Sequence, residues 1–238
     1  MKGSTQVKEA ADLLVSLLEL AHPPVAIAFR DAPPPGIERI GAAAPAGCAY
    51  WLHASEGHVF YTEASDHHNC AVGCHTHNVE LPPERQAEGE ALVKTMIGLG
   101  YLREDEVVSI PRRAARFGVA VYAPLALLPY EPDVVLVRGT PRQAMLLEEA
   151  RRAAGMGASN HVLGRPACAV IPEAERAAAL AVSLGCVGNR VNTGLGDHEL
   201  VVAFPGSTIE PLVGALPAIV RANRDLDAFH RRKMAGVA

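Results

Sequence analysis

The stretch Asp66-His67-His68-Asn69-Cys70-Ala71-Val72-Gly73-Cys74-His75-Thr76-His77 packs four of the chain's ten histidines and two of its five cysteines into twelve residues. Imidazole and thiolate are the side chains that most readily bind transition metals, and thiolate is also the commonest redox and nucleophilic group. Three chemistries are open to this stretch. Cys70 and Cys74 can bind zinc together with histidines drawn from the His67-His68 pair or the His75/His77 alternation. Cys70 can act as a nucleophile in a transferase or hydrolase, with His67 or His68 as its base. A haem or other small molecule can be held by the same histidines without catalysis, although Cys70-Ala-Val-Gly-Cys74-His75 is one residue too long for the usual covalent haem motif.

The other cysteines favour a fourth chemistry. Cys48, Cys70, Cys168 and Cys186 all lie among glycines or small residues, where backbone amides can approach sulfur. Four thiolates from distant positions can hold an iron–sulfur cluster, whose potential such amides tune, and this is the leading expectation. A redox or desulfurising activity would follow if one iron kept an open position. The bland alternative is that Cys48, Cys168 and Cys186 are core residues, since free cysteine is among the most buried types. Cys186-Val187-Gly188-Asn189-Arg190 has a second use if it opens a helix. Its free amides and Arg190 would suit an anionic ligand, so Gly73, Gly188, Asn189 and Arg190 are candidate binding residues. Asp66-His67 and Asp197-His198 place carboxylates where they could orient imidazoles.

Elements must exist to position these groups. Val7, Ala10, Ala11, Leu14, Leu17 and Leu18 recur at helical spacing, so the chain opens with an amphipathic helix over 5–20, stopped by Pro23-Pro24. Strands are expected at Val25–Phe29, His58–Thr62, Gly118–Tyr122, Asp133–Val137, Ala179–Leu184 and Leu200–Phe204. Helices are expected after Pro82-Pro83, after the Thr140 cap with Pro141 at its first position, and from Ile209 to about Met234 with a kink at Pro217. A short helix should include Cys48, and 155–166 reads as a glycine-containing loop.

Strands alternating with helices make the chain α/β or α+β, with mixed sheets flanked by helices. Two quasi-repeated halves are expected, 1–128 with the opening helix and 129–238 with the closing one, together forming one compact unit. Each half reads strand, cysteine, strand, cysteine, strand, and the cysteine separations are 22 and 18 residues. A pseudo-twofold relation would bring equivalent cysteines to one central site.

Composition excludes several classes. Hydrophobic residues make up 49% and charged residues 20%, as in an ordinary globular protein. A net charge of −4 gives no basic stripe for nucleic acid. No apolar run reaches the ~18 residues of a membrane span, and no signal peptide is apparent. A cytoplasmic location is therefore expected, where thiols stay reduced. A homo-oligomer is compatible with the sequence. The phosphate-binding loop, the dinucleotide fingerprint, the nucleophile elbow and the zinc-protease motif are all missing.

Three segments resemble the signatures of a known family, the uncharacterised "domain of unknown function 169" proteins of bacteria and archaea. They are Asp66 to Gly73 continuing through Thr76-His77-Asn78 to Leu81-Pro82, Glu131 to Val137, and Ser183 to Arg190. With the opening Pro24-Val25-Ala26-Ile27, the resemblance covers residues 10–225. It draws attention to Cys70, Gly73, Cys186, Gly188 and Arg190, and less to Cys74 and His75. It implies no particular reaction.

Overall fold

The computed structural model describes residues 2–236. Its centre is a seven-stranded mixed sheet in the order β2-β3-β1-β4-β7-β6-β5. The strands are β1 (Val25–Arg30), β2 (Phe60–Glu63), β3 (Val119–Pro124), β4 (Val134–Gly139), β5 (Ala158–Leu163), β6 (Leu180–Ser183) and β7 (Leu200–Pro205). β5 and β6 run parallel, and every other pair is antiparallel. The middle strands are nearly continuous apolar runs, such as Val-Val-Leu-Val in β4, because both faces of the sheet are covered.

Alternate residues of these strands serve two cores. Ala26, Ala28, Val121, Val135, Val137, Val202 and Phe204 pack with Leu14, Leu147, Leu212 and Leu216. That face carries α1 (Lys2–Leu18), α6 (Pro141–Ala153) and α9 (Ile209–Ala235). Val25, Ile27, Tyr122, Leu136 and Ala203 face the other way, onto Tyr50, Trp51 and Ile171. That face carries α2 (Ala49–Ser55), α3 (Ala71–His77), α7 (Val170–Ala177) and α8 (Val187–Thr193). Here the helices pack crosswise: α2 meets α8, and α3 meets α7.

Most expected elements are present. The Thr140 cap is a reciprocal one, with Gln143 Oε1 accepting from Thr140 N at 2.7 Å while Gln143 N donates to Thr140 Oγ1. Gln143 Nε2 also donates to Leu18 O at 2.8 Å, tying α6 to the end of α1. The structure corrects the reading of 155–166 as a loop, because Ala158–Leu163 forms the edge strand β5. It also turns the residues after Cys168 into a 3₁₀ turn and α7, where the sequence marked no helix. The two halves of the chain differ in their insertions: α4 (Pro83–Gly98) and α5 (Glu104–Val107) lie between α3 and β3, whereas α6 and β5 follow β4. Among the described residues no helix is long and apolar enough to cross a membrane.

Two glycines allow backbone approaches that a side chain would block. A Cβ on Gly118 would overlap the Asp31 carbonyl beyond β1, and one on Gly206 would overlap the Pro132 carbonyl before β4. Neither glycine has a positive φ, so sterics alone demand it. Gly118→Ala and Gly206→Ala are each expected to destabilise the fold by roughly 1–3 kcal/mol in urea titrations. Gly164→Ala, where a Cβ meets open space, serves as the near-neutral control.

Candidate functional site

A cavity of about 400 Å³ lies between the crosswise helices, and Cys48, Cys70, Cys168 and Cys186 all line it. Cys70 and Cys186, far apart in the sequence, thus reach one space. Each caps a short helix. Cys70 precedes α3 and its sulfur accepts from Gly73 N at 3.3 Å, while Cys186 precedes α8 and accepts from Asn189 N at 3.4 Å. The fit at Gly73 is close, since a Cβ would stand 3.1 Å from Cys70 Sγ. Cys48 directly precedes α2, and Cys168 sits in the turn that leads into α7.

The four thiols have unlike surroundings. Burial pushes the Cys48 thiol up to about 11, against a hydrogen bond with the Asn189 side chain that favours the thiolate. Burial raises Cys168 well above the usual thiol range, opposed by a hydrogen bond with Thr76. Cys70 and Cys186 are half-buried.

The cavity wall is mainly apolar, and much of it comes from the segment between α3 and β3, through Leu92, Met96, Tyr101, Leu102 and Ile110. That segment roofs the thiols. Gly89 lets α4 approach α3, with Ala71 Cβ 3.0 Å from where a Cβ would stand. Arg165, three residues before Cys168, grips the roof from the other half. Its guanidinium donates to Glu106 at 3.0 Å and lies 5.0 Å from the centre of the Tyr101 ring. The end of the roof is fastened more deeply, by buried Arg113, which clasps Glu175 at 2.8–3.0 Å and lies 3.4 Å from the centre of the Phe29 ring. A second cavity of about 570 Å³ adjoins the first, sharing Ala71, Val72, Met96, Leu102 and Ile110 with it.

The histidines do not gather at the thiols. His75 is exposed and lines the second cavity, and His68 is half-buried. His67 and His77 are buried in an aromatic layer, with ring centroids 5.5 Å apart, beside Tyr50, Phe29 and Phe117. Cys74 is buried outside the cavity, its thiol donating to His67 O at 3.1 Å. Asp66 does not orient His67, because its carboxylate accepts from Arg39 at 2.9 and 3.0 Å and from Glu63 N at 2.8 Å. Arg190, expected to face an anion, instead donates to the carbonyls of Leu184, Gly196 and Leu195 at 2.6–3.2 Å and clamps the loop after α8. Gly188 and Asn189 do line the cysteine cavity. Among the described residues, no three His, Cys, Asp or Glu side chains are grouped to hold a single metal ion.

The fold and site together define a mixed-sheet α/β protein with a four-cysteine cavity between crosswise helices. The chain belongs to the uncharacterised ArCR family, domain of unknown function 169, which it matches over residues 13–215. An uncharacterised protein of Methanocaldococcus jannaschii is 30% identical over 164 residues, covering 63% of this chain and 67% of that protein. No solved structure matches the chain.

The buried imidazoles have fixed tautomers. His77 Nδ1 meets the Gly73 carbonyl at 2.9 Å, which can only accept, so that nitrogen carries the proton. Thr62 Oγ1 donates to Ala120 O, leaving a lone pair to accept from His67 Nε2 at 2.9 Å. Burial is the main reason His67 falls to about 3, with repulsion from His77 and His68 adding to it. Burial likewise lowers His77 to about 4, against the Gly73 hydrogen bond and with help from Arg113. Above pH ~6.5 neither folded nor unfolded imidazole is charged, and stability is flat in this respect. Below that, the unfolded chain takes up protons that the fold refuses. Stability is expected to fall by about 1.4 kcal/mol per pH unit for each imidazole until the folded values are reached. The double variant His67→Gln/His77→Asn keeps both donated hydrogen bonds and should flatten the slope in urea titrations between pH ~6 and ~4.5. An unchanged slope would mean that the imidazoles charge freely within the fold.

Proposed function

We propose that the chain binds one cysteine-ligated iron–sulfur cluster, held between two related halves by Cys48, Cys70, Cys168 and Cys186. The carrying observation is that these four thiols, from four separate segments, line one cavity of about 400 Å³. Four cysteines around one cavity match the ligand number of an iron–sulfur cluster. Backbone amides already directed at two of the sulfurs fit the hydrogen bonding that tunes such centres. Zinc on Cys70, Cys74, His75 and His77 has less support, because these side chains lie in three different surroundings. A nucleophilic Cys70 has less as well, since buried His67 donates its ring proton to Thr62.

The relation between halves rests on strand registers. Val25 lies opposite Pro124 in the β1–β3 pair, and Val134 opposite Pro205 in the β4–β7 pair. Phe60 of β2 lies opposite Tyr122, two residues before Pro124, and Ala181 of β6 lies opposite Ala203, two before Pro205. At the join, Val25, Ala26 and Ile27 face Leu136, Val135 and Val134, a pairing that maps onto itself when β1 and β4 are exchanged. In both halves one cysteine precedes the helix before the third-rank strand, and another caps the helix after it. A duplication accounts for Cys48 matching Cys168 and Cys70 matching Cys186. The extra strand β5 and the roof over 79–118 are then later additions to one half each.

Anaerobic purification followed by iron and acid-labile sulfide analysis tests the reading. Wild-type protein, as isolated or after reconstitution, is expected to be brown and to hold both elements. Cys70→Ser and Cys186→Ser should lose most of the iron, while Cys74→Ser, outside the cavity, should keep it. Colourless, iron-free wild-type protein after reconstitution would overturn the proposal, as would a Cys186→Ser variant that loads normally.

A further inference from the structure

A third, much smaller cavity of about 40 Å³ is bounded by Trp51, Ser55, Arg138, Asn189, Thr193 and apolar neighbours. Two of these lining residues carry a buried polar atom without a hydrogen-bond partner among the described residues, Trp51 Nε1 and Asn189 Oδ1. Their residues are 6% and 2% exposed, so bulk solvent does not serve them. One is an obligate donor and the other an acceptor. A buried donor or acceptor left unpaired carries its full desolvation penalty. The cavity holds about one water molecule, and a buried water needs two or more polar partners. We infer that a single structural water is bound here, accepting from Trp51 Nε1–H and donating to Asn189 Oδ1.

The other polar groups nearby leave this role to the pair. Thr193 Oγ1 donates to Asn189 O at 2.7 Å, and Ser55 Oγ donates to Leu52 O at 2.8 Å, so both keep only lone pairs towards the water. Arg138 is taken up by Glu199 and by the carbonyls of Thr193 and Gly194. One hydroxyl lone pair can accept the second proton of the water. The bridge has a consequence for the thiols. An asparagine amide whose oxygen is held by the water turns its N–H group the other way, and that group is the one through which Asn189 can favour the Cys48 thiolate. Asn189 is thus a positioning residue for Cys48, and the water selects its orientation over the flipped one. The site stands whether or not a metal centre forms, so metal-free reduced protein tests it apart from the cluster.

Trp51 is the chain's single tryptophan, so its indole proton gives one unambiguous resonance. In ¹⁵N-labelled wild-type protein, that proton is expected to show a cross-peak to a long-lived water, with the sign of a direct dipolar contact. The Asn189 side-chain N–H protons should show contacts to the Cys48 β-protons. Asn189→Leu is expected to abolish the water cross-peak and move the indole proton upfield. Asn189→Ser, smaller and polar, serves if the leucine variant does not fold, and should keep a water cross-peak. An indole proton without water contact in wild type overturns the inference without any variant. So does a leucine variant that retains the contact, or a wild-type amide whose N–H protons point away from Cys48.

Discussion

Three residue pairs, Val25 with Leu136, Ala26 with Val135 and Ile27 with Val134, join β1 to β4 at the middle of the sheet. Everything that brings the cysteines together depends on this register. The side chains of Val25 and Ile27 face the layer of α2 and α7, while Ala26 faces α1 and α9. A slip of one residue would exchange those faces and expose apolar surface on both sides. It would also shift one set of helices along the other, separating α2 from α8 and α3 from α7. The four thiols belong to no single element, so only this central seam makes them neighbours.

The layer beneath α3 shows what the arrangement costs. Two neutral imidazoles, the Tyr122 ring and a stacked arginine occupy the space where a purely aliphatic core would fold more simply. Their contacts are angular: His77 bonds the carbonyl of Gly73, His67 bonds Thr62 of β2, and Arg113 binds both Thr76 O at 2.9 Å and Glu175 of α7. Such contacts hold the first turn of α3, and with it Cys70, at one distance from the sheet. Polar packing here favours a single geometry over maximal stability.

The strands and long helices were legible in the sequence because their signals are local. Val-Val-Leu-Val, the Thr140-Pro141 cap and the Pro82-Pro83 start carry their own evidence. Strand β5 was missed because Ala-Ser-Asn-His-Val-Leu lies on an edge and pairs with one neighbour only, so nothing demands the apolar alternation of a central strand. The cysteine set was readable from its context, and Cys48, Cys70, Cys168 and Cys186 do share a cavity. The histidines were misjudged for a physical reason: density along the chain does not say where side chains point. His67 and His77 face inward and His75 faces outward, because one falls in a 3₁₀ turn and the others on opposite sides of α3. Arg190 was likewise unreadable, since two of its three carbonyl partners, Leu195 and Gly196, are brought to it by the turn after α8 and the third, Leu184, by the end of β6.

The roof over the thiols is fastened unequally. At its far end Arg113 is buried and clasped by two oxygens, whereas the contact nearest the cavity mouth is Arg165 with Glu106, both partly exposed. An exposed ion pair of that kind is weak and weakens further with salt. The roof is therefore held firmly at its far end and lightly beside Arg165, so its two ends answer differently to salt.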